Sequence, residues 1–141
     1  MQPIMIIQKL ALTKSKPAQS KIISDAWESD SEEFFLGLEM ALDPNLNFHV
    51  VSVPEIQDPD DGDVGTFSFN DFLILSRSLA NGNLKGDVVE NLLIEAAQKA
   101  NISEWNLWYR RILLKTLANS LPLDIIRSTL SRLTMAQPML S

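Results

Sequence analysis

Apolar residues recur every three or four positions along most of the chain, the spacing that places them on one face of an α-helix. The clearest such stripe runs through residues 88–100. The breaks between the seven stripes hold residues that start or stop helices, such as Pro17, Pro44 and Gly82. The pattern predicts an all-α fold, a compact bundle of about seven helices with at most one short extended segment.

Capping residues indicate where several of these helices begin. Ser68 and Asp71 have the spacing of a capping box ahead of the fourth helix, and two overlapping boxes within residues 29–33 precede the third. We expect the sixth helix to begin near Glu104 and the seventh at Pro122.

Two stretches lack the helical period. Residues 46–53 are rich in β-branched types and predict a short extended segment. Residues 54–66 contain two Pro, two Gly and five acidic residues, and predict an acidic loop. We therefore expect one domain over residues 1–134, followed by an irregular tail at 135–141.

Composition excludes several classes of chemistry. The chain has no Cys and a single His, His49, so disulfides, zinc ribbons, iron–sulfur clusters and two-His metal sites are ruled out. No acid/base pair, Gly-rich phosphate loop or nucleophile elbow is visible. We expect a non-enzyme with no cofactor and no metal. No apolar run approaches the ~18 residues of a membrane span, and the first residues do not resemble a secretory signal, so we expect a cytoplasmic protein without a membrane partner.

The cluster of aspartates in the acidic loop does not match a calcium-binding loop. An EF-hand that started at Asp58 would need an acidic or amide ligand at its fifth position and Glu at its twelfth. Those positions hold Gly62 and Phe69. A solvated acidic loop is the better interpretation.

The charges are segregated along the chain, although the net charge is −6. Residues 25–66 hold twelve acidic residues and no Lys or Arg, whereas both ends of the chain are basic. The strongest candidates for phosphate contact are basic residues of the sixth and seventh helices and of the N-terminal segment: Arg110, Arg111, Lys115, Arg127, Arg132, Lys14, Lys16 and Lys21.

Three aromatic residues of the sixth helix allow two interpretations. Trp105, Trp108 and Tyr109 could stack on the bases of a nucleic acid. However, Trp105 and Trp108 share one helix face with Ile112, which favours core packing, with Tyr109 expected on another side of the helix.

Several stretches in a fixed order resemble the N-terminal helical DNA-binding domain of phage-type and related ATP-dependent DNA ligases. The helix and Asp-Pro turn at 35–44 and the Asn-Phe segment at 47–50 are similar to that family, as are the turn at 79–87 and the junction at 137–141. The sharpest match is 105–115, Trp-Asn-Leu-Trp-Tyr-Arg-Arg-Ile-Leu-Leu-Lys.

The resemblance implies a domain that grips duplex DNA through its backbone and minor groove without reading sequence. The family typically continues Asp-Leu-Arg-Cys-Gly after this helix, whereas residues 116–120 read Thr-Leu-Ala-Asn-Ser and only Lys115 keeps its type. The K-x-D-G nucleotidyl-transfer motif is also missing.

Two function hypotheses follow. The first is a non-catalytic domain that binds double-stranded DNA. The alternative is an acidic protein-interaction adaptor, or DNA mimic, that binds a basic host or phage protein through the acidic loop residues Asp58, Asp60, Asp61 and Asp63.

Overall fold

The computed structural model describes residues 2–56 and 65–135, and those residues form an all-α fold without a strand. This confirms the predicted fold class. The helices are α1 (Pro3–Leu12), α2 (Lys16–Glu28), α3 (Glu32–Leu42), α4 (Phe69–Ala80), α5 (Gly86–Lys99), α6 (102–113) and α7 (Leu123–Met135). A 3-10 turn, Leu117–Ser120, links α6 to α7. In the described part of the chain, no helix is long and apolar enough to cross a membrane.

Capping residues fix the start of α4 as predicted. The Ser68 hydroxyl accepts from the Asp71 amide at 3.1 Å, and the Asp71 carboxylate accepts from the Ser68 amide at 3.0 Å. The predicted boxes before α3 are wrong, because Asp30 has φ of 57° and ends α2 in the left-handed conformation. Ser31 is therefore the residue that precedes α3.

The core is built around the aromatic face of α6. Trp105 and Trp108 are 0% and 1% exposed, and Phe34 of α3 stacks on Trp108 with ring centroids 5.9 Å apart. Gly37 lets α3 approach this ring, since a Cβ there would overlap the Trp108 side chain. Core packing is confirmed for both tryptophans, which leaves their faces unavailable for stacking on bases.

Tyr109 is also buried, although we expected it on another side of α6. It lies four residues after Trp105 and so shares its face. The middle of α6, Trp105–Tyr109, is a π-helical turn in which the Arg110 amide donates to the Trp105 carbonyl. Burial raises the pKa of the Tyr109 hydroxyl far above its usual value, and nearby carboxylates raise it further. Tyr109 therefore stays neutral and serves packing.

The expected extended segment, 46–53, does not pair as a strand within the part of the chain described. Side chains of α6 hold the residues that follow it. Asn106 accepts from the Ile56 amide at 2.9 Å and donates to the Ile56 carbonyl at 3.0 Å. Trp105 Nε1 donates to the Pro54 carbonyl at 2.7 Å. These bonds satisfy backbone groups of the loop that follows 46–53.

Candidate nucleic-acid interface

Helices α2 and α7 pack side by side and unite the two basic ends of the chain. The hydroxyls of Ser20 and Thr129 lie 2.8 Å apart in a hydrogen bond, and Thr129 is only 3% exposed. Arg132 Nη2 donates to the Ser20 and Ser24 hydroxyls at 3.3 and 3.4 Å. Residues more than a hundred positions apart thus meet between these two helices. We call the exposed sides of the helix pair, with the residues just before α2, the α2–α7 surface. Its basic residues are Lys14, Lys16, Lys21, Arg127 and Arg132.

Most of the cations on the α2–α7 surface have no competing partner. Lys14, Lys16 and Arg127 are exposed, and their side chains form no hydrogen bond or ion pair with the residues described here. Lys21 pairs with Asp25 at 3.0 Å, and the two side chains are 75% and 49% exposed. Because exposed pairs of this kind contribute little energy, Lys21 can exchange its partner for a phosphate.

The charges along α2 oppose its own helix dipole. Lys16 stands at the N-terminal end, where the dipole favours anions, and Asp25 and Glu28 lie in the last turn, where it favours cations. Each such placement costs a few tenths of a kcal/mol at an exposed site. Helix stability therefore does not explain these charges, and breaking a local rule in this way is typical of a functional surface.

The arginines of α6 already hold neighbouring segments. Arg110 Nε donates to the Val53 carbonyl at 3.0 Å, and Arg111 Nη1 donates to the Ser120 hydroxyl at 3.0 Å. Both side chains are half-buried. A guanidinium carries five N–H donors, so each arginine keeps some for other ligands. Their first use is nevertheless to fix the segments before and after α6.

Lys115 is more fully committed. Its ammonium donates to the carbonyls of Met40 at 2.6 Å and Asp43 at 2.8 Å, and it lies 5.3 Å from the centre of the Phe48 ring. Burial lowers the pKa of Lys115, and the Asp43 carboxylate partly offsets this. Lys115 therefore closes the C-terminal end of α3 by donating to carbonyls at the end of the helix, where a cation is favoured. Lys115 thus stabilises the fold, whereas the exposed cations of the α2–α7 surface are available to a ligand.

The acidic residues of the alternative hypothesis, Asp58, Asp60, Asp61 and Asp63, lie outside the described residues. Within residues 2–56 and 65–135, no group of three His, Asp or Glu side chains is arranged to hold a metal ion. His49 is exposed, with φ of 56°.

The sequence analysis does not predict the polar contact between α2 and α7, in which Ser20 bonds to Thr129. Its signal was the spacing of Lys16, Ser20 and Ser24, four residues apart, which places them in one row along α2. The partner of that row, Thr129, carries no signal of its own.

Two solved structures, named "Pmar-Lig_PreS3" and "Pmar-Lig_Pre.", are similar to this chain. The chain is 32% identical to the first over 94% of its own length and 33% identical to the second over 96%, with a TM-score of 0.80 in each case. It spans 30% of the length of either one. No family model and no curated protein matches it. The chain thus has the fold of one part of these ligase-related proteins.

Proposed function

We propose that this chain is a non-catalytic DNA-binding domain that contacts the backbone of duplex DNA without reading its sequence. The observation that supports this most is the exposed set of cations on the α2–α7 surface, within a fold shared with ligase-related structures. Lys14, Lys16, Lys21, Arg127 and Arg132 are the proposed phosphate contacts. Arg110 and Arg111 are secondary candidates, and Lys115 is assigned to stability instead.

Binding through these residues is electrostatic. A Lys or Arg that neutralises a phosphate releases condensed counterions, so the affinity falls steeply as the salt concentration rises. Contacts to phosphates position a protein on DNA but carry no sequence information. The proposal assigns no strand-joining step to this chain, because the chain lacks the lysine of the K-x-D-G nucleotidyl-transfer motif.

The uneven distribution of charge also orients the domain as it approaches DNA. The α2–α7 surface carries five cations against the carboxylates of Asp25, Glu28 and Asp124 and is net basic, whereas the exposed carboxylates of α3 include Glu32 and Glu39. A polyanion attracts the first face and repels the second, which favours encounter in one orientation. The net charge of −6 therefore does not prevent binding through the basic face.

A fluorescence anisotropy titration tests the proposal. The labelled probe is a nicked duplex at about 50 mM salt, with a second nicked duplex of unrelated sequence and equal length. We expect both to bind in the micromolar range and to dissociate as salt is raised, as for non-specific phosphate contacts. Absence of binding at tens of micromolar protein, or a strong preference for one sequence, would contradict the proposal.

A further inference from the structure

An aromatic groove lies between the end of α2 and the start of α3, and none of the cations of the α2–α7 surface lines it. Trp27 and Phe35 form its wall, with ring centroids 5.6 Å apart in an edge-to-face arrangement. Leu36, which is 41% exposed, continues the apolar lining. The groove has a volume of about 690 Å³. It is large enough to receive several apolar side chains of a partner.

Four carboxylates surround these apolar residues, from Glu28, Asp30, Glu32 and Glu39. Among the residues that the structure describes, no Lys or Arg lines the groove. In the part of the chain that the structure describes, none of the four carboxylates forms a salt bridge. The rim is therefore strongly negative and uncompensated, so it repels DNA and attracts a cationic surface.

One residue of the groove wall is a partly exposed tryptophan, Trp27. Trp105 and Trp108 are fully buried, whereas Trp27 is only half-buried in the groove wall. Trp is enriched among the few residues that carry most of the binding energy of protein interfaces.

We propose that this groove binds a basic amphipathic helix of another protein, one that presents apolar side chains to Trp27, Phe35 and Leu36. Its Lys and Arg residues would face the four carboxylates of the rim. This is the helix-in-groove mode of peptide recognition, in which apolar residues at helical spacing give affinity and charges give specificity. Such an interaction leaves the α2–α7 surface free, so the domain binds DNA and a protein at the same time.

The test uses a synthetic lysine–leucine peptide, free of tryptophan, whose leucines recur at helical spacing. Trp27 reports its binding, since it is the tryptophan that acrylamide reaches in the free chain. We expect the peptide to protect Trp27 from quenching and to bind with an affinity measurable by calorimetry. A companion peptide of equal charge, with serine in place of leucine, should bind at least tenfold more weakly.

Two matched variants test whether the peptide recognises the charges of the groove rim or only the overall negative charge of the chain. Glu28→Gln/Glu32→Gln/Glu39→Gln removes three rim charges, and Glu55→Gln/Asp87→Asn/Glu90→Gln removes three exposed charges elsewhere. We expect the first to weaken peptide binding at least tenfold and the second to change it less than twofold. Equal losses in both variants, equal binding of the two peptides, or no binding to the native chain would overturn the proposal. DNA affinity should be unchanged or slightly higher in both, so failure here is distinct from failure of DNA binding.

Discussion

The C-terminal half of α6, together with Lys115 just after it, and the α2–α7 surface are both basic, but their cations differ in what they already contact. Lys115 donates to two backbone carbonyls, and Arg110 donates to a third. Lys16 and Arg127 point to solvent and have no partner among the residues described. Equal formal charge thus serves two purposes, because cations committed to the fold stabilise it and uncommitted cations can bind phosphate.

The largest effect that should separate the two regions is on stability. Replacing Lys115 with Met removes two hydrogen bonds from a charged donor and leaves the Met40 and Asp43 carbonyls without it. We expect a loss of about 2 kcal/mol in the free energy of unfolding, measured with urea. The DNA affinity of the folded variant should change less than twofold. A large loss of affinity at unchanged stability would reverse the roles of the two regions.

A second variant should have the opposite profile. Lys16→Glu/Arg127→Glu reverses two exposed charges on the α2–α7 surface, and we expect on the order of tenfold weaker binding to nicked duplex at low salt. The melting temperature should not fall and should rise slightly, because neither side chain is packed and Glu at the start of α2 suits the helix dipole.

The matched control for this variant is Arg77→Glu/Lys85→Glu, also one Arg and one Lys, on or next to α4 and α5. It changes the net charge equally. If it weakened DNA binding as much, the effect would come from overall charge rather than from the α2–α7 surface.

Local chemistry explains which features could be predicted from sequence. Ser68 and Asp71 cap α4 through contacts only three residues apart, and apolar spacing placed Trp105 and Trp108 in the core. Both depend on neighbours within one helix. The β-branched composition of 46–53 predicts a strand, but composition cannot show that no strand among the described residues pairs with it and that Arg110 donates to the Val53 carbonyl instead.

The candidate site depended on contacts that are distant in the sequence. The segregation of charge shows basic ends, yet the contacts of α7 with α2, such as Thr129 with Ser20, bring them together only in the folded chain. Likewise, the sequence ranks Lys115 with Arg127 as equivalent cations. Their difference arises because α3 ends next to Lys115, 75 residues from Met40 in the chain.

The smallest expected effect is on the free energy of unfolding and concerns Glu104, at the start of α6. Burial raises its pKa, and the Glu33 carboxylate raises it further. Because the folded pKa lies above the unfolded one, the ionised form is disfavoured in the fold, and stability is gained as pH falls through the folded value. Glu104→Gln should therefore stabilise the chain at pH 7 by less than about 1 kcal/mol, given solvent screening.

Thermal unfolding at pH 7 and below pH 4 checks this effect. The gain from Glu104→Gln should disappear at the lower pH, where native Glu104 is protonated in both states, and DNA binding should be unaffected. A gain that is the same at both pH values would mean that charge is not its cause.

The α2–α7 surface can be located most directly by titrating the ¹⁵N-labelled chain with unlabelled nicked duplex and following amide chemical shifts. The account predicts that the largest shifts fall in residues 14–24 and 123–133, and that they reverse when salt is raised. Shifts concentrated in α3, or in α5, with α2 and α7 unperturbed, would contradict it.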